Sequence, residues 1–196
     1  EFAGAKKEIR VGVSRTVGLA YLPGFFHANL RRQPQVSCRV SHQPSSGILS
    51  ALESNELDLG VLCPPNRLPR TIRSTHKFAD DFTLIAPTSA AESFAKLPSS
   101  RKARSQWVNK QNWLLIGEDS NTGQLLRGWI RRQGWRVEPT MQLDNFDLII
   151  NLVSLGMGVS FVPIRALALY GPKRTFQRLQ LPERFTRELV VVVRKH

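Results

Sequence analysis

The chain has 196 residues, 41% of them hydrophobic and 22% charged, with a formal net charge of +13 and only two cysteines. This is ordinary globular usage, sufficient for one large domain or two small lobes, and it excludes a disulfide framework. The longest purely aliphatic run, residues 189–193, is too short to span a bilayer, and no signal-peptide pattern follows the charged start EFAGAKKEIR.

Residues 8–14 read as a buried strand, followed by a helix over about 18–32 with Leu19, Leu22, Phe26 and Leu30 inward. Pro23 fits only the first turn of that helix, which argues for a later start. Residues 35–42 alternate as a strand, with Val36, Cys38 and Val40 on one face. Cys38 reads as a small buried hydrophobe in a reducing compartment. Pro44-Ser45-Ser46 open a second helix that ends near Asn55, before a strand at 57–62. A proline-rich loop, CPPNRLP, leads to an extended stretch over 71–87 that Asp80-Asp81 divide into two runs. Residues 88–111 read as a polar, basic connection with one short helix near 92–96. Strand 113–116, the turn Gly117-Glu118-Asp119-Ser120, and a helix over 122–133 stopped by Gly134 come next. Then follow strand 136–143, a helix and strand over 146–163, a short helix near 165–169, and strands 174–181 and 188–194.

One unit occurs twice: SGILSALESNELDLGVL at 46–62 and FDLIINLVSLGMGVSFVP at 146–163. In each, a helix passes through a very short turn into a strand too apolar to face water, the repeating unit of a helix-covered parallel sheet. About a hundred residues separate the copies, more than one crossover needs. The pattern predicts two α/β lobes with a cleft between them.

Catalytic patterns are missing. The histidines, His27, His42, His76 and His196, are scattered and have no HxxxH or CxxC company, so neither a metal site nor a cofactor is expected. No G-x-S-x-G elbow occurs, and Gly156-Met157-Gly158 leads from helix into strand, the wrong order for cradling a dinucleotide. Asp80-Asp81 and Glu118-Asp119 are as consistent with loop solvation as with acid/base work. The basic residues spread along the whole length. The densest group, Arg127, Arg131, Arg132 and Arg136, sits at a helix end favourable for cations and reads as a solvated face. What recurs is a polar residue at each strand-to-helix junction: Ser14-Arg15-Thr16, Ser45-Ser46, Ser120-Asn121-Thr122 and Asp144-Asn145. Such residues cap helices. They also stand where parallel α/β sheets bind ligands, beside free N–H groups and positive potential, and Arg15 adds a guanidinium suited to a carboxylate.

The segment IRVGVSRTVGLAYLPGFFHANLRRQPQVSCRVSHQPSSGILSALESNELDLGVL resembles the opening of the effector-binding domain of LysR-type transcriptional regulators. Asn55 stands where that family's G-E-L-D-L-G motif begins with glycine. EDSNTG, LDNFDLIINLVSLGMGVSFVP and RELVVVVRK resemble its second lobe and return strand, so the likeness spans about residues 8–195. It implies two Rossmann-like lobes of the type II periplasmic-binding-protein kind, joined by two crossing strands: residues 1–84 with 191–196, and 85–190. It implies a small-molecule effector held in the interlobe cleft by Ser14, Arg15, Thr16, Ser45, Ser46, Ser120, Asn121, Thr122 and Asn145; that this effector is an anion is the expectation from Arg15 and the helix starts, not from the resemblance. It also implies a cytoplasmic homodimer or homotetramer paired through helices 19–31 and 146–155. Promoter DNA is then reached only through the family's N-terminal winged helix-turn-helix, which this sequence lacks, as it lacks the helix after the return strand. A membrane partner and an enzymatic activity are not expected. The competing readings are a periplasmic-type solute-binding protein of the same fold, and direct nucleic-acid binding by this chain on account of its charge.

Overall fold

In the computed structural model, residues 7–171 and 175–195 are described, which leaves His196 and the first residue of the predicted 174–181 strand outside them. The chain forms two compact units, Glu1–Ala79 with Glu188–His196, and Asp80–Arg187.

The first unit is built on a sheet of order β2 (Val36–His42), β1 (Lys7–Val13), β3 (Leu59–Leu62), β9 (Thr186–Arg194). β1 runs parallel to β2 and β3, and β9 pairs antiparallel with β3. Successive side chains on a strand face opposite ways, so both faces are packed. Val11, Val13, Val61 and Leu189 join Val17 of α1 (Arg15–Asn29) on one side. Leu62, Val190 and Val192 join Ile48 and Leu52 of α2 (Ser45–Glu53) on the other. Gly12 and Gly60 are cross-strand neighbours, and a Cβ on either would run into Ile48 or Leu57. The bare backbone at these two positions is what lets α2 lie against the sheet.

Three local features differ from the sequence reading or explain it. α1 begins at Arg15, earlier than expected, so Pro23 lies well inside the helix and not in its first turn. The missing proline N–H costs the helix one internal bond, and burial of its N-terminal turn (Thr16, Val17, Gly18) compensates. Asn55 has φ 63°, the left-handed region, which explains why asparagine replaces the glycine of the motif. The Glu56 and Leu57 amides then donate back to the Ala51 carbonyl (2.8 and 3.0 Å) and close α2. Arg10 grips Asp58 of the same motif through Nε (3.1 Å) and Nη2 (2.8 Å), and this hydrogen-bonded guanidinium holds the Asp58 carboxyl below the ordinary carboxylate range.

In the second unit β5 (Trp113–Ile116) runs parallel to β6 (Pro139–Leu143). Reciprocal bonds between Val159 and residues 112 and 114 bring the chain into β7 (Ser160–Pro163) parallel on the other side of β5. β4 (Ile72–Pro87) pairs antiparallel with both β7 and β8 (Phe176–Leu179). Asp80-Asp81 do not divide β4, which is continuous across them. The polar connection 88–111 folds into two helices, α3 (Thr88–Ala95) and α4 (Arg101–Val108), anchored by buried Ala91, Trp107 and Val108. Few apolar residues suffice there because Trp107 alone buries a large area and donates from Nε1 to Ser93 Oγ (2.8 Å). The α5 helix (Asn121–Arg132) ends, as expected, before Gly134 at φ 76°. The expected strand start at 136 moves to 139, although Trp135 and Val137 are buried just before it. After α6 (Phe146–Ser154) and β7 the chain makes a 3-10 turn over Ile164–Leu169. The core is aromatic: Phe161 stacks on Trp113 and Trp135 (5.3 and 6.2 Å between centroids) and takes the edge of Trp129 (5.1 Å).

The left-handed Asn55 yields a direct test. Asn55→Gly should leave stability unchanged or raise it slightly, whereas Asn55→Val should cost about 1–2 kcal/mol in urea denaturation, the penalty of forcing a side chain with Cβ branching into that conformation.

Candidate functional site

In the first unit the Gln43 amide donates to the Val13 carbonyl (2.9 Å), which ties the carboxyl ends of β1 and β2 together. α1 and α2 therefore start from neighbouring strand ends. Ser14 holds the N-cap position of α1 in extended backbone, and Arg15 is the first helical residue, exposed; Thr16 is buried. Ser45 and Ser46 are the first two residues of α2, behind Pro44. Neither helix uses a side-chain cap. First-turn N–H groups have no carbonyl within their own helix, and helix starts of this kind are where anions bind.

The second unit repeats the plan with a different use of the polar residues. The Gly117 amide donates to the Leu143 carbonyl (2.9 Å) and joins the ends of β5 and β6, from which α5 and α6 start. Ser120 Oγ accepts from the Gly123 amide (3.0 Å) and donates to the Gly117 carbonyl (2.8 Å). Asn145 Oδ1 accepts from the Leu148 amide (2.9 Å). Ser120 and Asn145 are thus helix caps, the structural role that serine and asparagine favour. Asn121 is the first residue of α5 and half-buried. Gly123 packs so closely on the Gly117 carbonyl that a Cβ there would overlap it, which seats the start of α5 directly on the end of β5.

Thr122 is buried and held by a residue the sequence reading passed over. Arg187 donates from Nη1 to Thr122 Oγ1 (2.8 Å) and from Nε to Asp80 Oδ2 (2.8 Å), and its Nη2 lies 2.8 Å from the same oxygen. The side chains of Arg187 and Asp80 are only 6% and 1% exposed, and the guanidinium lies over Phe82 and Phe146 (5.3 and 5.7 Å to the ring centroids). Asp80 is therefore a buried ion-pair partner, not loop solvation. A signal existed: each stands two residues before the first residue of an apolar strand run, FTLIA and LVVVV, and so on the same strand face as Phe82 and Leu189.

A cavity of about 250 Å³ also lies in the second unit, among Phe82, Phe161, Arg178, Glu183 and Phe185, and none of the nine junction residues lines it. Among the described residues no group of three or more His, Cys, Asp or Glu side chains could hold a metal. The junctions offer donors, hydroxyls and a guanidinium, a chemistry of binding.

Removing one partner of a buried pair leaves the other charged and unpaired. Asp80→Ala should cost about 3–5 kcal/mol in urea denaturation, and adding Arg187→Met to it should recover part of that loss.

The family described as the LysR substrate binding domain matches residues 3–196. A curated relative named "Probable RuBisCO transcriptional regulator", from Gracilaria tenuistipitata var. liui, is 27% identical over 165 residues, 81% of this chain and 51% of that protein. The chain spans about half the length of the curated relatives it matches. The solved cofactor-binding domain of the Cbl transcriptional regulator has the same fold, with a TM-score of 0.82 over 98% of this chain and 82% of that one at 14% identity. So does the Synechocystis PCC6803 CcmR regulatory domain in complex with 2-PG, with a TM-score of 0.75 over 96% and 88% at 17% identity. The chain belongs to the LysR substrate-binding-domain family.

Proposed function

We propose that this chain is the ligand-sensing part of a larger transcriptional regulator and that its effector is a small anion held at the strand-to-helix junctions. The observation that carries this reading is the pair of uncapped helix starts at adjoining strand ends, with Ser14, Arg15, Thr16, Ser45 and Ser46 around them. Charge-assisted hydrogen bonds contribute about 1.5–3 kcal/mol each, and micromolar to millimolar binding needs about 4–8 kcal/mol. Three or four such contacts suffice for a sensor without a deep apolar pocket. Asn121 and Thr122 are the second unit's proposed contacts, Thr122 through a hydroxyl whose orientation Arg187 sets. Ser120 and Asn145 serve the site by capping, with direct contact left to the atoms they orient.

The membership of the family and the regulator names of its relatives favour this reading over a solute-binding transport protein. Sequence-specific promoter binding is assigned to a part of the regulator outside this chain, and the setting to the cytoplasm. Among the described residues no helix is long and apolar enough to cross a membrane. Assembly as a homodimer or homotetramer is supported by large apolar side chains left exposed on the two helices that the resemblance selects. Phe25 on α1 is 57% exposed, and Leu148 on α6 and Leu155 directly after it are 42% and 76% exposed.

All four tryptophans are buried in the second unit, so effector binding is followed by their emission. Phosphate- and carboxylate-bearing small molecules are the compounds to screen, beginning with 2-PG, the ligand of the CcmR domain. For a compound that binds, Thr16→Ala and Ser45→Ala should each weaken affinity about tenfold, the loss of roughly 1.4 kcal/mol; unchanged affinity in both rejects the junction site. In sedimentation equilibrium, Leu148→Lys with Leu155→Lys should shift the chain to monomer, and an unchanged distribution rejects α6 as the pairing helix.

A further inference from the structure

Although basic residues occur along the whole chain, just over half of the net charge of +13 falls in one stretch. Residues 96–137 contain nine lysines and arginines against two carboxylates, Glu118 and Asp119, and Glu118 is paired with Arg127 (2.9 Å). Folding then brings the two ends of this segment together. Arg101, at the start of α4, donates from Nη2 to the Gln133 carbonyl just past α5 (3.3 Å). The Arg136 amide donates to Asn109 Oδ1 just past α4 (2.9 Å). The end of α5 and the turn after it therefore lie along α4, and Arg101, Lys102, Lys110, Arg131, Arg132 and Arg136 are all exposed there. Among the described residues none of these six forms an ion pair.

Helix electrostatics account for part of this arrangement only. Arg131 and Arg132 stand in the last turn of α5, where the helix dipole favours cations. Arg101 and Lys102 stand in the first turn of α4, which contains no acidic residue and where the dipole disfavours positive charge. Six like charges along a helix about 12 Å long repel one another unless an anion faces them. Of the large apolar side chains that this unit exposes, Leu125 lies in the first half of α5, away from its basic end, and Met141, Leu148, Leu155, Met157 and Leu169 lie outside both helices. The face thus lacks the apolar centre of a protein–protein interface. A partner that supplies dense, regular negative charge and asks for no apolar contact is the phosphate backbone of a nucleic acid, with one charge per ~1.7 Å of duplex axis.

We propose that the face formed by α4 and the end of α5 is a salt-sensitive, sequence-independent contact for the phosphate backbone of duplex DNA. It stands apart from the effector reading, because it uses none of the junction residues. It adds a second DNA contact to the one assigned outside this chain and holds the duplex without reading its bases.

The test is fluorescence anisotropy of a short labelled duplex of arbitrary sequence, titrated with this chain between ~50 and ~200 mM salt. The chain should bind at the low end and release with rising salt. Arg131→Glu, Arg132→Glu and Arg136→Glu together should weaken binding about tenfold or more, and the corresponding glutamine triple should lower the salt slope by about three. The glutamine triple, matched to the wild type in thermal melting, separates lost contacts from lost folding. A control with the same charge change on exposed residues of the first unit, Arg67→Glu, Arg70→Glu and Arg73→Glu, should lose much less. Absence of binding at ~50 mM salt, or equal losses in the face and control variants, overturns the proposal. Tighter binding of polyglutamate than of the duplex overturns it too and assigns the face to an acidic protein.

Discussion

A guanidinium taken out of water must be met by a full set of partners, and Arg187 is met by the Asp80 carboxylate, the Thr122 hydroxyl and two phenylalanine rings. Asp80 and Arg187 are the first and last residues of the second unit, on the two strands that pass between the units. One ion pair therefore fixes both strands where they enter this unit and orients the first turn of α5 as well. The rings packed beside it, Phe82 on Phe185 (4.8 Å) and on Phe146 (5.5 Å), lead into the tryptophan core. Such a pair gives little net stability over an apolar replacement. What it does here is join three elements, β4, β9 and α5, at one point.

The two units use one plan for different ends. In both, a pair of parallel strands is tied at its carboxyl ends by a backbone bond, and a helix starts from each strand. The first unit leaves those helix starts uncapped, with serines, Thr16 and Arg15 around them. The second closes them with Ser120 and Asn145 and fixes Thr122 from below. The four junctions, equal as sequence, are unequal as chemistry: the second unit's N-cap side chains bond their helices and the first unit's do not. Capping and ligand binding draw on the same backbone N–H groups, so a residue that satisfies one of them removes it from the other use.

The α5 helix has a role at each end. Its start is seated on β5 by the Gly123 contact and held by Arg187, and its other end contributes to the basic face along α4. The helix dipole suits this division, with partial positive charge at the junction and partial negative charge beneath Arg131 and Arg132.

Strong periodicity and the turn residues around it were legible before any coordinates. β5, α2, α5 and α6 fall within a residue or two of their expected places, because β5 is an unbroken apolar run, the helices' apolar positions repeat at about 3.6 residues, and Gly134 marks a stop. The LysR motifs carried the family and the fold. Of the two helices in the polar connection, α3 was legible only as a shorter helix near 92–96 and α4 not at all, because polar segments reveal helices only through the few side chains that their neighbours bury. Pro23 was misplaced for a related reason, since local propensity is overridden when tertiary burial holds the turn. The use of each polar residue was also beyond the sequence. Ser120 and Ser14 are alike in the chain, and only the neighbouring backbone decides that one is a cap and the other is not. Asp80 and Arg187 are 107 residues apart, and Arg101 and Gln133 are 32 apart. The sequence by itself determined which segments must be buried and where the chain turns, because those choices rest on local patterns of apolar and turn-forming residues. Which distant charges meet, and which are left facing water, was decided only by the tertiary structure, because Coulombic and hydrogen-bond partners are set by distance in space.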